Sequence, residues 1–109
     1  MNLPESVRIG YADYVVEDWN GVDALRDDKS GDYDHEHLHI RVSDAMKPPV
    51  RACVFLHEVV HGIVTHQSVP CGDYEEDVVT KITERLCQVM RSNPGLFAEI
   101  ESALERKGN

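Results

Sequence analysis

Cysteine is scarce in this 109-residue sequence: there are three, Cys53, Cys71 and Cys87, and no two of them form a Cys-x-x-Cys pair. An odd number at wide spacing builds neither a disulfide framework nor a thiolate zinc ribbon, so free thiols in a reducing compartment are expected. No apolar run approaches the roughly 20 residues that a membrane-spanning helix requires. The first ten residues carry Glu5 and Arg8 and no apolar stretch of the kind a secretory leader has, which makes the cytoplasm the expected location. Basic residues are also few, 11 Lys and Arg against 20 Asp and Glu, for a formal net charge of -9. A surface of that sign does not neutralise phosphates or anionic lipid, so neither nucleic acid nor a membrane is an expected partner.

What the chain does have is enough apolar material, 41% of its residues, to bury one modest core, and a single domain over 1–109 is expected. VRIGYADYVV, residues 7–16, mixes β-branched and aromatic residues with loose alternation and reads as a strand ending near Trp19. The aspartate-rich stretch from Asn20 to Asp34 reads as loop, with one helical turn over Val22–Leu25. HLHIRV, residues 37–42, alternates as a half-buried strand does. Pro48 and Pro49 suit only the start of a helix, and Val50, Cys53, Val54, Val60 and Val64 then recur at helical spacing. After a Pro/Gly turn at 69–74, Val78, Val79, Ile82, Leu86, Val89 and Met90 mark a second helix that stops near Ser92. Asn93 and Pro94 form an N-cap and N1 pair for a third, running through Leu96, Phe97, Ile100 and Leu104 to Gly108. Two strands, or three if the loop hides one, in a short antiparallel sheet packed on three helices make an α+β domain.

Within the first of these helices, His57-Glu58-Val59-Val60-His61 sets two imidazoles four residues apart, one above the other on a single face, where both can reach one ion. Zinc accepts such ligands in a tetrahedral shell, and it lowers the pKa of a water there to about 7. Glu58, rotated by about 100° from His57, flanks the ion and is placed to act as general base. This composition yields roughly 0.03 chance matches to the pattern, and a run of apolar neighbours is an unusual setting for idle surface histidines. A catalytic zinc of this type takes three protein ligands and leaves one position for water. Candidates for the third are Glu75, Glu76 and Asp77. The helical wheel, with its apolar stripe through Val79, Ile82 and Leu86, centres closest to Glu75. Two of the three acids are ordinary first-turn complements to the helix dipole.

His35, His37 and His39 would share a face if 35–39 were strand, and could then bind metal. The opposing Leu38 and Ile40 explain the same alternation as a solvated strand face. Cys53, one turn before His57, reads as core, as do Cys71 and Cys87. Tyr74 and His66 lie near the expected cleft, where transition-state charge could be stabilised.

HEVVHGIV, a short turn and EEDVVTKITERLCQVMRSNP together resemble the small zincins of phages and prophages related to the ImmA/IrrE metallopeptidases. The resemblance spans roughly residues 36–100. The family's second helix reads Glu-x-x-aliphatic-x-x-aliphatic-small-x-x-Leu, and Glu76, Val79, Ile82, Thr83 and Leu86 fit it in that order. The resemblance implies a minimal zincin-like domain with His57, His61 and Glu76 as a gluzincin-like ligand set for one zinc ion (Zn2+) per chain and Glu58 as catalytic base. It also implies a protein or peptide substrate and, for a phage-encoded chain, the bacterial host cytoplasm. A second reading keeps the fold and has the chain act by binding, as a phage accessory or assembly protein. A third is a metal-free α+β interaction module.

Overall fold

The computed structural model describes residues 2–105. Its opening apolar alternation belongs to two strands, not to the single one expected over 7–16. β1 (Ser6–Ile9) and β2 (Ala12–Trp19) form an antiparallel hairpin with Ile9 opposite Ala12. Gly10 and Tyr11 make the turn between them, and Gly10 takes a φ of 61°, a left-handed conformation that costs glycine nothing.

The segment read as loop with a helical turn over Val22–Leu25 holds a helix at that turn and hides one strand. Asn20 caps α1 (Gly21–Arg26), its side-chain oxygen accepting from the backbone N–H of Val22 at 2.9 Å and of Asp23 at 3.3 Å. Gly31–Asp34 forms β3 and His39–Ser43 forms β4. The strand expected from His37 thus starts two residues later. Asp34 holds the chain in a turn before it, accepting from the His37 backbone N–H at 3.0 Å and meeting His37 Nδ1 at 2.7 Å, and Leu38 turns at a φ of 52°. His35 and His37 therefore lie in a turn, and no strand face carries His35, His37 and His39 together.

The sheet has the order β1-β2-β4-β3. β4 pairs parallel with β2, Ile40 opposite Val16, and antiparallel with β3, Ile40 opposite Tyr33. Four strands in a mixed sheet replace the expected two or three in an antiparallel one. The connection from β2 to β4 carries α1 and β3, which is long enough for a parallel return. Ile40 and Val42 are wholly buried, and β4 takes the inner position between two partners, leaving β1 and β3 as edges.

α2 (Pro48–His66) begins with both prolines in its first turn, where a missing N–H costs no hydrogen bond. Its apolar residues serve two partners. Val54, Phe55 and Val59 pack on the sheet's core of Ile9, Ala12, Tyr14, Ile40 and Val42. Val60 and Val64 meet Val79 of α3 (Glu75–Ser92), which follows a single 3-10 turn at Gly72–Tyr74. Asn93 does not open the next helix. It closes α3, its Nδ2 donating to the Val89 carbonyl at 2.8 Å, and α4 (Leu96–Glu105) starts only after Gly95, at a φ of 87°. The expected end at Gly108 falls outside the described residues. Among the described residues there are thus four helices where three were expected, and the α+β class stands as read. No helix among the described residues is long and apolar enough to cross a membrane.

Candidate metal centre

Because α2 gives one stripe to the sheet and another to α3, the residues between those stripes face a cleft. His57, Glu58 and His61 fall there. The four-residue spacing brings His57 Nε2 to 3.1 Å from His61 Nε2. Glu76, in the first turn of α3, spans both rings, with Oε1 at 2.9 Å from His57 Nε2 and Oε2 at 2.8 Å from His61 Nε2. Among the described residues these three form the one group of His, Cys, Asp and Glu whose ligand atoms all lie within 4.8 Å of one another.

The triangle fits a cation better than it fits hydrogen bonds alone. Each Nε2 carries either one proton or one lone pair. If both donate to Glu76, two N–H groups crowd each other at 3.1 Å; if either does not, one contact with the carboxylate has no proton. A positive ion between the three removes the conflict. Ligand atoms about 2.0–2.1 Å from a tetrahedral ion stand roughly 3.4 Å apart, so the separations of 2.8–3.1 Å found here would have to open by a few tenths of an ångström around one.

The choice between Glu75 and Glu76 resolves into two roles. Glu76 faces the paired Nε2 atoms, while Glu75 Oε2 lies 2.8 Å from His61 Nδ1, at the back of the same ring. A carboxylate there accepts a hydrogen bond from Nδ1–H, which keeps the ring's proton on that side and leaves Nε2 with its lone pair free for a metal. The inward position that the helical wheel gives Glu75 is thus real, but it serves the ring's other nitrogen. Asp77 is turned away, paired with exposed Lys81 at 3.0 Å.

Glu58 points toward the edge strand β3 and is 7% exposed. Burial pushes its carboxyl up to about 7, against the pull of His61. Burial also holds the His57 imidazole below its ordinary value, which favours the neutral ring that metals bind. β3 can come this close because Gly31 has no side chain: a Cβ there would stand 2.6 Å from Val54 Cγ1 and 2.9 Å from Glu58 Oε2. Gly31→Ala is therefore expected to destabilise the fold by about 1–3 kcal/mol through overpacking, measured by urea denaturation.

The cleft has a volume of about 860 Å³ and is walled by Gly31 and Tyr33 of β3, Val54, His57 and Glu58 of α2, and Glu76 of α3. Its far end holds Cys53, Thr83 and Cys87. Burial and the neighbouring Cys53 push the Cys87 thiol up to about 11, so without a metal it is protonated at neutral pH. No family model, curated protein or solved structure matches this chain. Its function has to be argued from the site itself.

The remaining histidines lie outside the cleft. His37 meets Asp34, His39 Nε2 stands 3.1 Å from Glu17, and His35 and His66 both contact Tyr14. Neither His66 nor Tyr74 lines the cleft. Gly31 and Tyr33, which do, went unread in the sequence because β3 holds a single apolar residue between two aspartates.

Proposed function

We propose that this chain is a zinc-dependent metallopeptidase that hydrolyses a peptide bond in a protein partner. The observation that carries the reading is the Glu76 carboxylate lying across both Nε2 atoms of the His57–His61 pair, beside the buried Glu58. Zinc held by His57, His61 and Glu76 would supply a Lewis acid, lowering the pKa of a water to about 7 and polarising the scissile carbonyl. Glu58 takes the proton from the attacking water and returns it to the leaving amine. A carboxyl tuned near neutrality suits both transfers. Glu75 fixes the His61 ring by its Nδ1.

The free edge of β3 runs along the cleft, so an extended peptide can add there as a further strand, its backbone hydrogen-bonded and its side chains alternating in and out. This supports a polypeptide over a small-molecule substrate. The resemblance to the small phage zincins related to ImmA/IrrE points the same way.

The test is metal analysis by mass spectrometry on untagged protein, followed by incubation with a mixture of unfolded proteins and identification of new chain termini, with a chelator control. About one zinc per chain and chelator-sensitive new termini are expected. Zinc without new termini would move the function to a zincin-like accessory protein that acts by binding. Absence of metal after zinc has been offered would leave an interaction module.

A further inference from the structure

α4 carries the sequence of a packed helix without the packing. Leu96, Phe97, Ile100 and Leu104 fall on one side of it, yet no residue of α4 is buried, and Ile100 is 46% and Leu104 76% exposed. Among the described residues no other element packs along it. A helix this short is marginal in water by itself, because most helical stability in proteins comes from burying an apolar face. Another surface has to cover that face for α4 to persist.

A matching surface lies on α3. Val79 packs on Val60 and Val64 of α2, and beside that contact Val78, Ile82, Leu86 and Val89 form a second apolar stripe, with Ile82 50% exposed. At a rise of about 1.5 Å per residue the stripe is about 16 Å long and that of α4 about 12 Å, so one can cover the other.

Charge decides which chain supplies α4. The α3 stripe is bordered on one side by Lys81 and Arg85, exposed and four residues apart, whose partners Asp77 and Gln88 are on the same helix. The α4 stripe is bordered by Glu99 on one side and by Glu101 and Glu105, also four apart, on the other. At about 100° per residue, a parallel pairing of the two helices sets Glu101 and Glu105 on the Lys81–Arg85 side, whereas an antiparallel pairing sets Glu99 alone there. Only residues 93–95 link α3 to α4, and so short a link returns a helix antiparallel to the one before it. The pairing with two acids against two bases is therefore open only to another chain. Opposite charges at such flanking positions set both the partner and the orientation of paired helices.

We propose that the apolar face of α4 docks, in parallel, on the outer stripe of α3 in a second copy of this chain, and that the exchange is reciprocal. Two-fold symmetry then doubles the interface, as in most soluble homo-oligomers. The cleft stays open in such a dimer, since neither Lys81, Ile82 and Arg85 nor any residue of α4 lines it.

The experiment is sedimentation equilibrium of the full chain over a range of concentrations. It is run beside Ile100→Glu and two charge-reversed chains, one Lys81→Glu with Arg85→Glu, the other Glu101→Lys with Glu105→Lys. The wild-type chain is expected to form a two-chain species. Ile100→Glu, at an exposed position that leaves the core intact, should weaken it at least about tenfold by setting a charge in the covered stripe. Each charge-reversed chain alone should also dissociate at least about tenfold more readily, and an equimolar mixture of the two should recover a mixed dimer, since each presents the sign that the other lacks. Recovery by mixing cannot come from α4 folding onto its own α3. A wild-type chain that stays monomeric at every concentration, a dimer unchanged by Ile100→Glu, or a mixture that does not assemble would each overturn the proposal. Because no substituted residue lines the cleft, the result is independent of whether the chain is a peptidase.

Discussion

Exchanging Glu58 for Gln is expected to leave metal content unchanged and to lower peptide hydrolysis by about 10²–10⁴-fold, the usual contribution of a positioned general base. Glutamine has the same shape and fits the space that Gly31 leaves beside Val54, so β3 should keep its place. Glu58 lies outside the triangle of ligand atoms, so zinc should be retained. What the amide cannot do is accept a proton from water near neutral pH. The comparison needs metal analysis and an initial rate on the same preparation. A rate within about tenfold of wild type would remove Glu58 as base, since a proton acceptor in that position is normally worth more.

The same substitution should change stability in the opposite direction. In metal-free protein, burial raises the Glu58 carboxyl to about 7 from 4.5. The unfolded chain therefore ionises first as pH rises, and this group destabilises the fold progressively from pH 4.5 up to about 7, then by a constant amount. A shift of that size corresponds to about 3 kcal/mol at pH 8 and under about 1 kcal/mol at pH 5. Chelator-treated Glu58→Gln should accordingly melt higher than wild type at pH 8 and nearly level with it at pH 5. A gap that is equal at both values would mean that Glu58 is hydrated in solution and its burial does not tune it. A site that trades fold stability for a carboxyl poised near neutrality is what a general base requires.

How much of this was legible in the sequence depended on how much each feature owed to its own residues. α2 and α3 could be read because each carries several turns of apolar residues at helical spacing, with prolines at one start and acids at the other. The hairpin was legible in principle: buried positions run Ile9, then Ala12, Tyr14 and Val16, a shift from odd to even that marks the Gly10 turn. Alternation averaged over the whole segment hides that shift. β3 could not be read, because its place comes from pairing with β4 and from the tie between Asp32 and Arg41, at 2.7 Å, not from any pattern in GDYD. Position on a wheel could say that the carboxylate at 75 turns inward, but not which imidazole nitrogen it meets, and only the resemblance pointed to Glu76. His61 offers one on each side, and adjacent residues about 100° apart can each take one.

That division of roles gives the second large effect. Removing both His57 and His61 is expected to abolish zinc binding, since Glu76 alone offers one exposed carboxylate to the ion. Glu76→Gln should fall next, as a neutral amide replaces the only anionic ligand. Glu75→Gln should keep a full equivalent of zinc at saturation while weakening affinity by about 10–100-fold, the usual cost of losing a partner that orients a ligating imidazole. Competition with a chromogenic chelator orders the variants on one scale. Bound zinc also stabilises the folded chain, by about 4 kcal/mol when free zinc is a thousandfold above its dissociation constant, so melting temperatures at fixed zinc should follow the same order. Should Glu75→Gln prove the more damaging of the two, the carboxylates would have exchanged places, with Glu75 on the ion and Glu76 behind the ring. Equal and small losses would mean that neither completes the site and that the third ligand comes from outside this helix.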